Sequence, residues 1–277
     1  MITGATRLAA VIGSPVRHSL SPALHNAAFA QLGLDWVYAA FEVSPGEAQS
    51  ALDAMRIFGL GGLSVTTPHK EAVAGAVDSL DHAAASLRSV NTVVPQADGS
   101  LRGYSTDGAG FVASLAAAGV EVAGCTVCVL GAGAAARSIV DALGRAGVAR
   151  VAVINRTTSA AEEAAVLAGG LGVVGRACDI GDAHIVINAT SVGMGGDEMP
   201  CDPSALRTGQ VVADIVYHPR NTALLRAAKA AGATTVEGLG MLVHQAALQQ
   251  QLWHGHLPDV AVMSAAAEYE LDTRRDE

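Results

Sequence analysis

The stretch Ser64–Lys70, SVTTPHK, keeps a lysine in a chain that draws almost all its positive charge from arginine. Of 17 lysine and arginine residues, only Lys70 and Lys229 are lysines. A guanidinium holds its proton at any usable pH, whereas a partly buried ammonium can release and regain one. Lys70 follows Pro68 and a short apolar run that reads as a strand. That places it at the C-terminal edge of a sheet, where open α/β sheets bind ligands. On composition alone a single lysine is a surface residue, so the reading depends on its neighbours. Ser19 and Ser21, in HSLSP, leave another expected strand. Ser21 reads as the N-cap of the next helix with Pro22 at its first position, and a helix start also receives carboxylates. Asn91, in SVNTVV, is an amide among apolar residues and must find partners. Asp107, in STDG, opens an expected helix and reads equally as its cap. Gln245, in MLVHQAALQQQ, lies beside an apolar helix face.

A second group of residues has another use. VLGAGAAAR gives Gly131-x-Gly133-x-x-Ala136 between an expected strand and an expected helix. Gly131 permits the tight turn, Gly133 lets the backbone approach a pyrophosphate, and Ala136 allows close helix–strand packing. Free N–H groups at the helix start then face the phosphates. The next strand ends in NRTTS. A site for NAD would usually place an acid there to hold the ribose 2′-hydroxyl, but this chain has Asn155 and Arg156. A guanidinium at that point pairs with a 2′-phosphate, so the residues read as NADP rather than NAD. The alternative is a plain surface arginine.

The elements that must position these groups follow from pattern. With 277 residues and 51% hydrophobic content, the chain can form two well-buried domains. RLAAVI, GLSVTT and the hairpin NTVVPQADGSLRGY, turning at Asp98-Gly99, mark an N-terminal α/β part. Ser44 to Glu47 reads as a capping box before a helix reaching about Met55. From Cys125 onward strands and helices alternate as in a doubly wound parallel sheet. Met241 to about Trp253 is helical, a further helix follows Pro258, and DTRRDE reads as a solvated tail. The expected fold class is α/β with two domains. Residues 1–107 plus 239–277 form an N-terminal α/β substrate domain, and 108–238 a Rossmann-like, doubly wound nucleotide domain.

Composition excludes other classes. The net charge of −9 comes with no basic stripe, so no nucleic-acid partner is expected. No apolar run is long enough to span a bilayer and no secretory signal is visible, so a cytoplasmic location is expected. CTVC, Cys125 to Cys128, lies in an expected strand where the two side chains point to opposite faces, so no metal is expected there. All four cysteines read as reduced packing residues. The nine histidines show no metal-like spacing, and no nucleophile elbow is present.

Taken together, the stretches GSPVRHSLSPALHN, SVTTPHK, SVNTVV, STDG, GAGAAAR, NRT, INATSVGM, DIVYHPRNT and GLGMLVHQAA resemble the shikimate dehydrogenase family over nearly the whole chain. The resemblance implies NADP-dependent, reversible interconversion of shikimate and 3-dehydroshikimate in chorismate and aromatic amino-acid biosynthesis. It implies that Ser19 and Ser21 hold the substrate carboxylate. Thr66, Asn91, Asp107 and Gln245 would bind its hydroxyls, with Tyr217 nearby. Lys70 would transfer the proton, paired with Asp107. Gly131, Ala132, Gly133, Ala134, Ala135, Asn155, Arg156 and Thr157 would hold NADP, with Ile215 and Gly238 near the nicotinamide. Cleft closure about Asp107-Gly108 and Leu239-Gly240 would follow, and a homodimer is among the assemblies allowed. The chain departs from the family pattern in three places. Ser64 stands where the family usually has asparagine, Ser105 replaces another asparagine, and Ala134 replaces a common glycine. Serine at 64 is expected to lose a contact to substrate or Lys70, or to make it through water. Relatives acting on quinate or an aminoshikimate, and a non-catalytic NADP-responsive binding protein, are the alternatives.

Overall fold

The computed structural model describes residues 2–273. The chain divides into two compact units. Unit 1 comprises Met1–Thr106 and Val243–Glu277, and unit 2 comprises Asp107–Leu242. These breaks fall one residue before and four residues after the expected ones, the second of them inside a helix.

In unit 1, the elements are β1 (Arg7–Gly13), α1 (Ser21–Gln31), β2 (Trp36–Glu42), α2 (Ala48–Phe58), β3 (Gly62–Val65), α3 (Lys70–Ala76), β4 (Ser79–Leu80), α4 (His82–Leu87), β5 (Thr92–Pro95) and β6 (Leu101–Tyr104). The sheet runs β2-β1-β3-β5-β6-β4. β1 is parallel to β2 and β3, while β5 and β6 form the expected antiparallel hairpin, with Gly99 at φ 85° in its turn. β3 shows how the faces are divided. Leu63 and Val65 enter one apolar cluster, under α2. Gly62 and Ser64 point the other way, where a side chain at 62 would collide with the indole of Trp253. Trp253 itself donates its Nε1–H to the carbonyl of Val93 (3.2 Å).

Unit 2 holds α5 (Asp107–Ala117), β7 (Thr126–Leu130), α6 (Ala134–Arg145), β8 (Arg150–Ile154), α7 (Thr158–Ala165), β9 (Gly172–Val174), α8 (Cys178–Asp182), β10 (Ile185–Asn188), β11 (Val211–Asp214), α9 (Ala223–Ala230) and β12 (Thr234–Val236). The sheet order is β12-β11-β10-β7-β8-β9, every neighbour parallel. Counting from β7, that is the 3-2-1-4-5-6 order of a doubly wound dinucleotide-binding fold, with the reversal between β7 and β10. The α/β class and the two-part architecture agree with the sequence reading. Two helices complete the chain: α10 (Leu239–His254), whose residues fall in both units, and α11 (Val260–Thr273), which packs on α1.

Several local expectations are corrected. Ser21 is the first residue of α1 rather than its cap. Leu20 holds the cap position without a side-chain bond, and the Ser21 N–H is satisfied two residues back by Ser19 Oγ (3.2 Å). The capping box before α2 does not form. Glu47 occupies the cap position, its carboxylate accepts from Ser50 Oγ (2.6 Å), and the helix continues to Phe58. Cys178 is exposed, so it does not pack. Asp272 and Thr273 belong to α11 rather than to a tail, and residues 274–277 lie outside the described residues. β2, WVYAAFE, was not among the strands read from the sequence, and its C-terminal half is exposed.

Candidate active site

In unit 1 the topology reverses at β1, which has β2 on one side and β3 on the other. The loops leaving β1 and β3 therefore emerge side by side at one edge, and the Ser14 N–H donates to the Thr67 carbonyl (3.0 Å). Gly13 lets them approach, since a Cβ there would lie 2.5 Å from Thr66 Cγ2. Ser19 and Ser21 come from the first loop and the start of α1. Ser64 lies in β3, Thr66 directly follows that strand, and Lys70 is the first residue of α3, half-buried. The loop is fixed from below by His69, whose Nε2 meets the Val43 carbonyl at 2.9 Å. The hairpin adds Asn91 just before β5, where its carbonyl accepts from Val65 N (2.8 Å). α10 adds Gln245.

These side chains form a buried polar network. Tyr38 Oη lies 2.6 Å from Ser64 Oγ, and Ser64 Oγ donates to Gln249 Oε1 at 2.7 Å. Gln249 Nε2 reaches Gln245 Oε1 at 2.9 Å and the Asn91 carbonyl at 3.3 Å. Asn91 Nδ2 contacts Thr106 Oγ1 (2.9 Å) and Gln245 Oε1 (3.4 Å). Asn91 Oδ1 accepts from the Thr106 N–H (2.9 Å) and from Thr92 Oγ1 (2.8 Å). Burial pushes the Tyr38 phenol well above its ordinary range, against the opposing hydrogen bonds of Ser64 and Ser21. His25 stacks on Tyr38 with ring centroids 4.2 Å apart. Complete burial lowers its pKa to about 3, so it is neutral. Its Nδ1 accepts from Gln250 Nε2 (3.1 Å), which leaves the proton on Nε2, and that atom has no hydrogen-bond partner among the described residues.

Unit 2 carries the glycine loop at the reversal of its own sheet. Gly131 has φ 112°, in the region that favours glycine, and a Cβ there would lie 2.9 Å from the Ala189 carbonyl. Gly133 has open space around its Cα and takes the cap position of α6. Ala132 is half-buried, Ala134 is exposed at the helix start and Ala135 half-buried, while Ala136 is fully buried against the sheet. The first N–H groups of a 12-residue helix thus stand over an open glycine turn, the geometry that receives a pyrophosphate. After β8, Asn155 Nδ2 holds the turn through the Thr157 carbonyl (3.1 Å). Arg156 and Thr157 are exposed, and Arg156 enters no ion pair among the described residues. That cation is presented outward, as a 2′-phosphate requires. The residues present fit a dinucleotide with a phosphorylated ribose.

Beyond β10 and β11, two side chains missed by the sequence reading pin the loops. Asp214, buried, accepts from Thr222 Oγ1 (2.7 Å), Asn188 Nδ2 (2.9 Å) and Val216 N (3.0 Å). Desolvation raises its pKa and these hydrogen bonds oppose the shift. Asn188 Oδ1 in turn accepts from Thr190 Oγ1 (2.7 Å). Ile215 is thereby fixed against Gly238, where a Cβ would lie 2.5 Å from the Ile215 carbonyl oxygen. Tyr217 follows on the same loop, half-buried, and Asp107 opens α5. Of the expected substrate-binding residues, Ser19, Ser21, Thr66, Lys70, Asn91 and Gln245 thus belong to unit 1. Asp107 and Tyr217 belong to unit 2.

One unit with a dinucleotide loop, and another whose sheet edge gathers hydroxyls, amides and an amine, define a nucleotide-dependent oxidoreductase. Comparison with known proteins narrows the class. Residues 11–93 match the shikimate dehydrogenase substrate binding domain, 114–193 the shikimate / quinate 5-dehydrogenase description, and 238–268 the shikimate 5'-dehydrogenase C-terminal domain. The shikimate dehydrogenase (NADP(+)) of Rubrobacter xylanophilus is 44% identical over 274 residues, covering 96% of each chain. A crystal structure of a shikimate dehydrogenase in complex with NADP+ has a TM-score of 0.91 at 34% identity, covering 98% of this chain and 97% of that one. The Thermus thermophilus shikimate 5-dehydrogenase in complex with NADP(H) and shikimate has a TM-score of 0.89 at 36% identity, covering 95% and 99%. The chain belongs to the shikimate dehydrogenase family.

Proposed function

We propose that this protein reversibly reduces 3-dehydroshikimate to shikimate with NADPH, in the biosynthesis of chorismate and aromatic amino acids. The observation that carries the reading is the edge of unit 1, where Ser19, Ser21, Thr66 and Lys70 follow β1 and β3 at the sheet reversal, and where Asn91, beside β3, holds Gln245 of α10. A compact ring bearing a carboxylate and several hydroxyls suits such a set of short donors. The serines at the start of α1 receive the carboxylate, helped by the helix N-terminus. Thr66, Asn91 and Gln245 bind ring hydroxyls.

When bound, NADPH supplies the hydride that adds to the carbonyl carbon. The oxygen then carries negative charge and needs a proton. The Lys70 ammonium stabilises that charge and delivers a proton from Nζ, and in the reverse direction it takes the hydroxyl proton. Asp107 serves as partner to Lys70 and binds a neighbouring hydroxyl. In unit 2, Gly131, Ala132, Gly133, Ala134 and Ala135 would hold the pyrophosphate. Asn155, Arg156 and Thr157 would hold the 2′-phosphate, and Ile215 and Gly238 would border the nicotinamide, with Tyr217 toward the substrate.

The deciding experiment follows NADPH formation from shikimate, quinate and an aminoshikimate under identical conditions. A rate on shikimate that exceeds the others supports the reading. Preference for another ring, or binding of NADP and shikimate without turnover, refutes it. The reading places the reaction in the cytoplasm without a nucleic-acid partner. It allows a homodimer, which light scattering checks.

A further inference from the structure

The polar network in unit 1 has a direction, and two backbone groups fix it. The Asn91 carbonyl only accepts, so the Gln249 atom facing it is Nε2 (3.3 Å). Gln249 Oε1 therefore faces Ser64, which spends its single hydroxyl hydrogen on it (2.7 Å). Tyr38, 2.6 Å from Ser64 Oγ, must then be the donor in that pair. At the other end, the Thr106 N–H only donates, so the Asn91 atom facing it is Oδ1 (2.9 Å). Asn91 Nδ2 is thereby turned toward Gln245. Two amide donors, Gln249 Nε2 and Asn91 Nδ2, converge on one atom of Gln245, at 2.9 and 3.4 Å. That atom can only be Oε1, and the Gln245 NH2 lies on the opposite side of the amide.

We infer that Gln249 is a positioning residue for the reaction: with Asn91 it locks Gln245 so that its NH2, a pure donor, is what the substrate hydroxyl meets. Ser64 is part of the same relay. Its hydroxyl is engaged by Tyr38 and Gln249, so position 64 acts on the ligand through Gln245 rather than by touching it. The network is at least nine-tenths buried at every member, which makes a reversed amide expensive, since reversal would set donors against donors. The consequence is selective. At that point the site accepts a group with a lone pair to offer, a hydroxyl or carbonyl, and disfavours a charged ammonium substituent.

This inference rests on the functional reading above, and the test separates the two. Gln249→Met keeps the bulk and removes the amide. The expected fall in kcat/KM for shikimate is about tenfold, the scale of one lost hydrogen bond in a buried setting, with the KM for NADP unchanged. In a Gln245→Met background the same substitution should add less than about twofold, because its route to the ligand is already gone. Full additivity of the two substitutions, an unchanged kcat/KM, or an equal loss in NADP affinity overturns the inference. Gln249→Glu, which keeps the acceptor for Ser64 and loses the donor to Gln245, reads the same point if the methionine variant does not fold. A crystal structure of the wild-type protein with shikimate decides it without any variant. Gln245 bridging Gln249 and a substrate hydroxyl supports the relay, and Gln245 turned away from either overturns it. Should the wild-type chain neither bind nor turn over shikimate, the functional reading fails. The Gln249–Gln245 hydrogen bond, seen in side-chain amide resonances of the ligand-free protein, then still supports or overturns the relay.

Discussion

At the scale of single residues, the reading turns on which side chains can move a proton or meet a phosphate. Lys70→Ala should lower turnover by about 10²-fold or more, the usual scale for a positioned acid–base group, with NADP binding little changed. Retention of full turnover by that variant in a steady-state assay removes Lys70 from the mechanism. Arg156 is exposed and outside any ion pair among the described residues, so its truncation exposes no stranded partner. Arg156→Ala should raise the KM for NADPH far more than that for NADH. Equal rises, measured with both nucleotides at saturating second substrate, contradict recognition of the 2′-phosphate. The reading of Arg156 came from its type and its place after β8, whereas that of Lys70 depended on its neighbours and on the family resemblance, because a single lysine on composition alone is a surface residue. Gln249 and Tyr38 were not legible. The clue to the first was the spacing of Gln245, Gln249 and Trp253, which are four apart and share one helix face. Tyr38 had no such clue, because its contact with Ser64 is made between strands that are not neighbours in the sheet.

At the scale of elements, side chains do the work of missing backbone partners. β2 is an edge strand. Asn26 on α1 closes that edge like a small piece of sheet: its Oδ1 accepts from Tyr38 N (2.8 Å) and its Nδ2 donates to the Tyr38 carbonyl (2.9 Å). Asn26→Ala strands both groups in a largely buried place, and should destabilise the protein by about 2–3 kcal/mol in urea unfolding. A loss under about half a kcal/mol would mean the edge is satisfied some other way. Gly108 makes a comparable demand in unit 2, where a Cβ would run into the Ser138 carbonyl of α6. Strand–helix alternation after Cys125 was easy to read because the four central strands, β7, β8, β10 and β11, are largely buried and nearly continuously apolar, whereas β9 and β12 at the sheet's edges are partly exposed. The starts of α1 and α2 were harder. Ser21 and Ser44 have the right chemistry for caps, but the chain enters α1 through a tight turn from Val16 and leaves the capping task to Ser19. Cap residues report that a helix begins nearby, while the entering loop decides which residue ends up in the cap.

At the scale of the whole molecule, acidity should act through buried histidine. His25 has a pKa of about 3 in the folded chain against an ordinary value of 6.5, because burial disfavours its charged form. Below pH 6.5 the unfolded chain binds a proton that the folded chain refuses, so stability falls as pH drops from there toward 3. For this one group the loss approaches about 1.4 kcal/mol per pH unit once well below 6.5. His244 and His254, whose values burial also lowers, act in the same direction. Denaturant midpoints measured between pH 7 and pH 5 should therefore decline, and His25→Leu should flatten the decline. A variant with the same slope as the parent would show that His25 does not titrate this way.

Unit 1 is discontinuous, its two segments separated in the chain by the whole of unit 2. On the ribosome the elements that carry Ser19, Ser64 and Lys70 are made first, yet the helix that brings Gln245 and Trp253 to them emerges only after the entire nucleotide-type sheet has been translated. Until then the indole that fills the hollow over Gly62 is absent, and the part of that sheet face not covered by α1 stands open to chaperones and to other nascent chains. The part of the protein built earliest is thus completed after the part inserted into it.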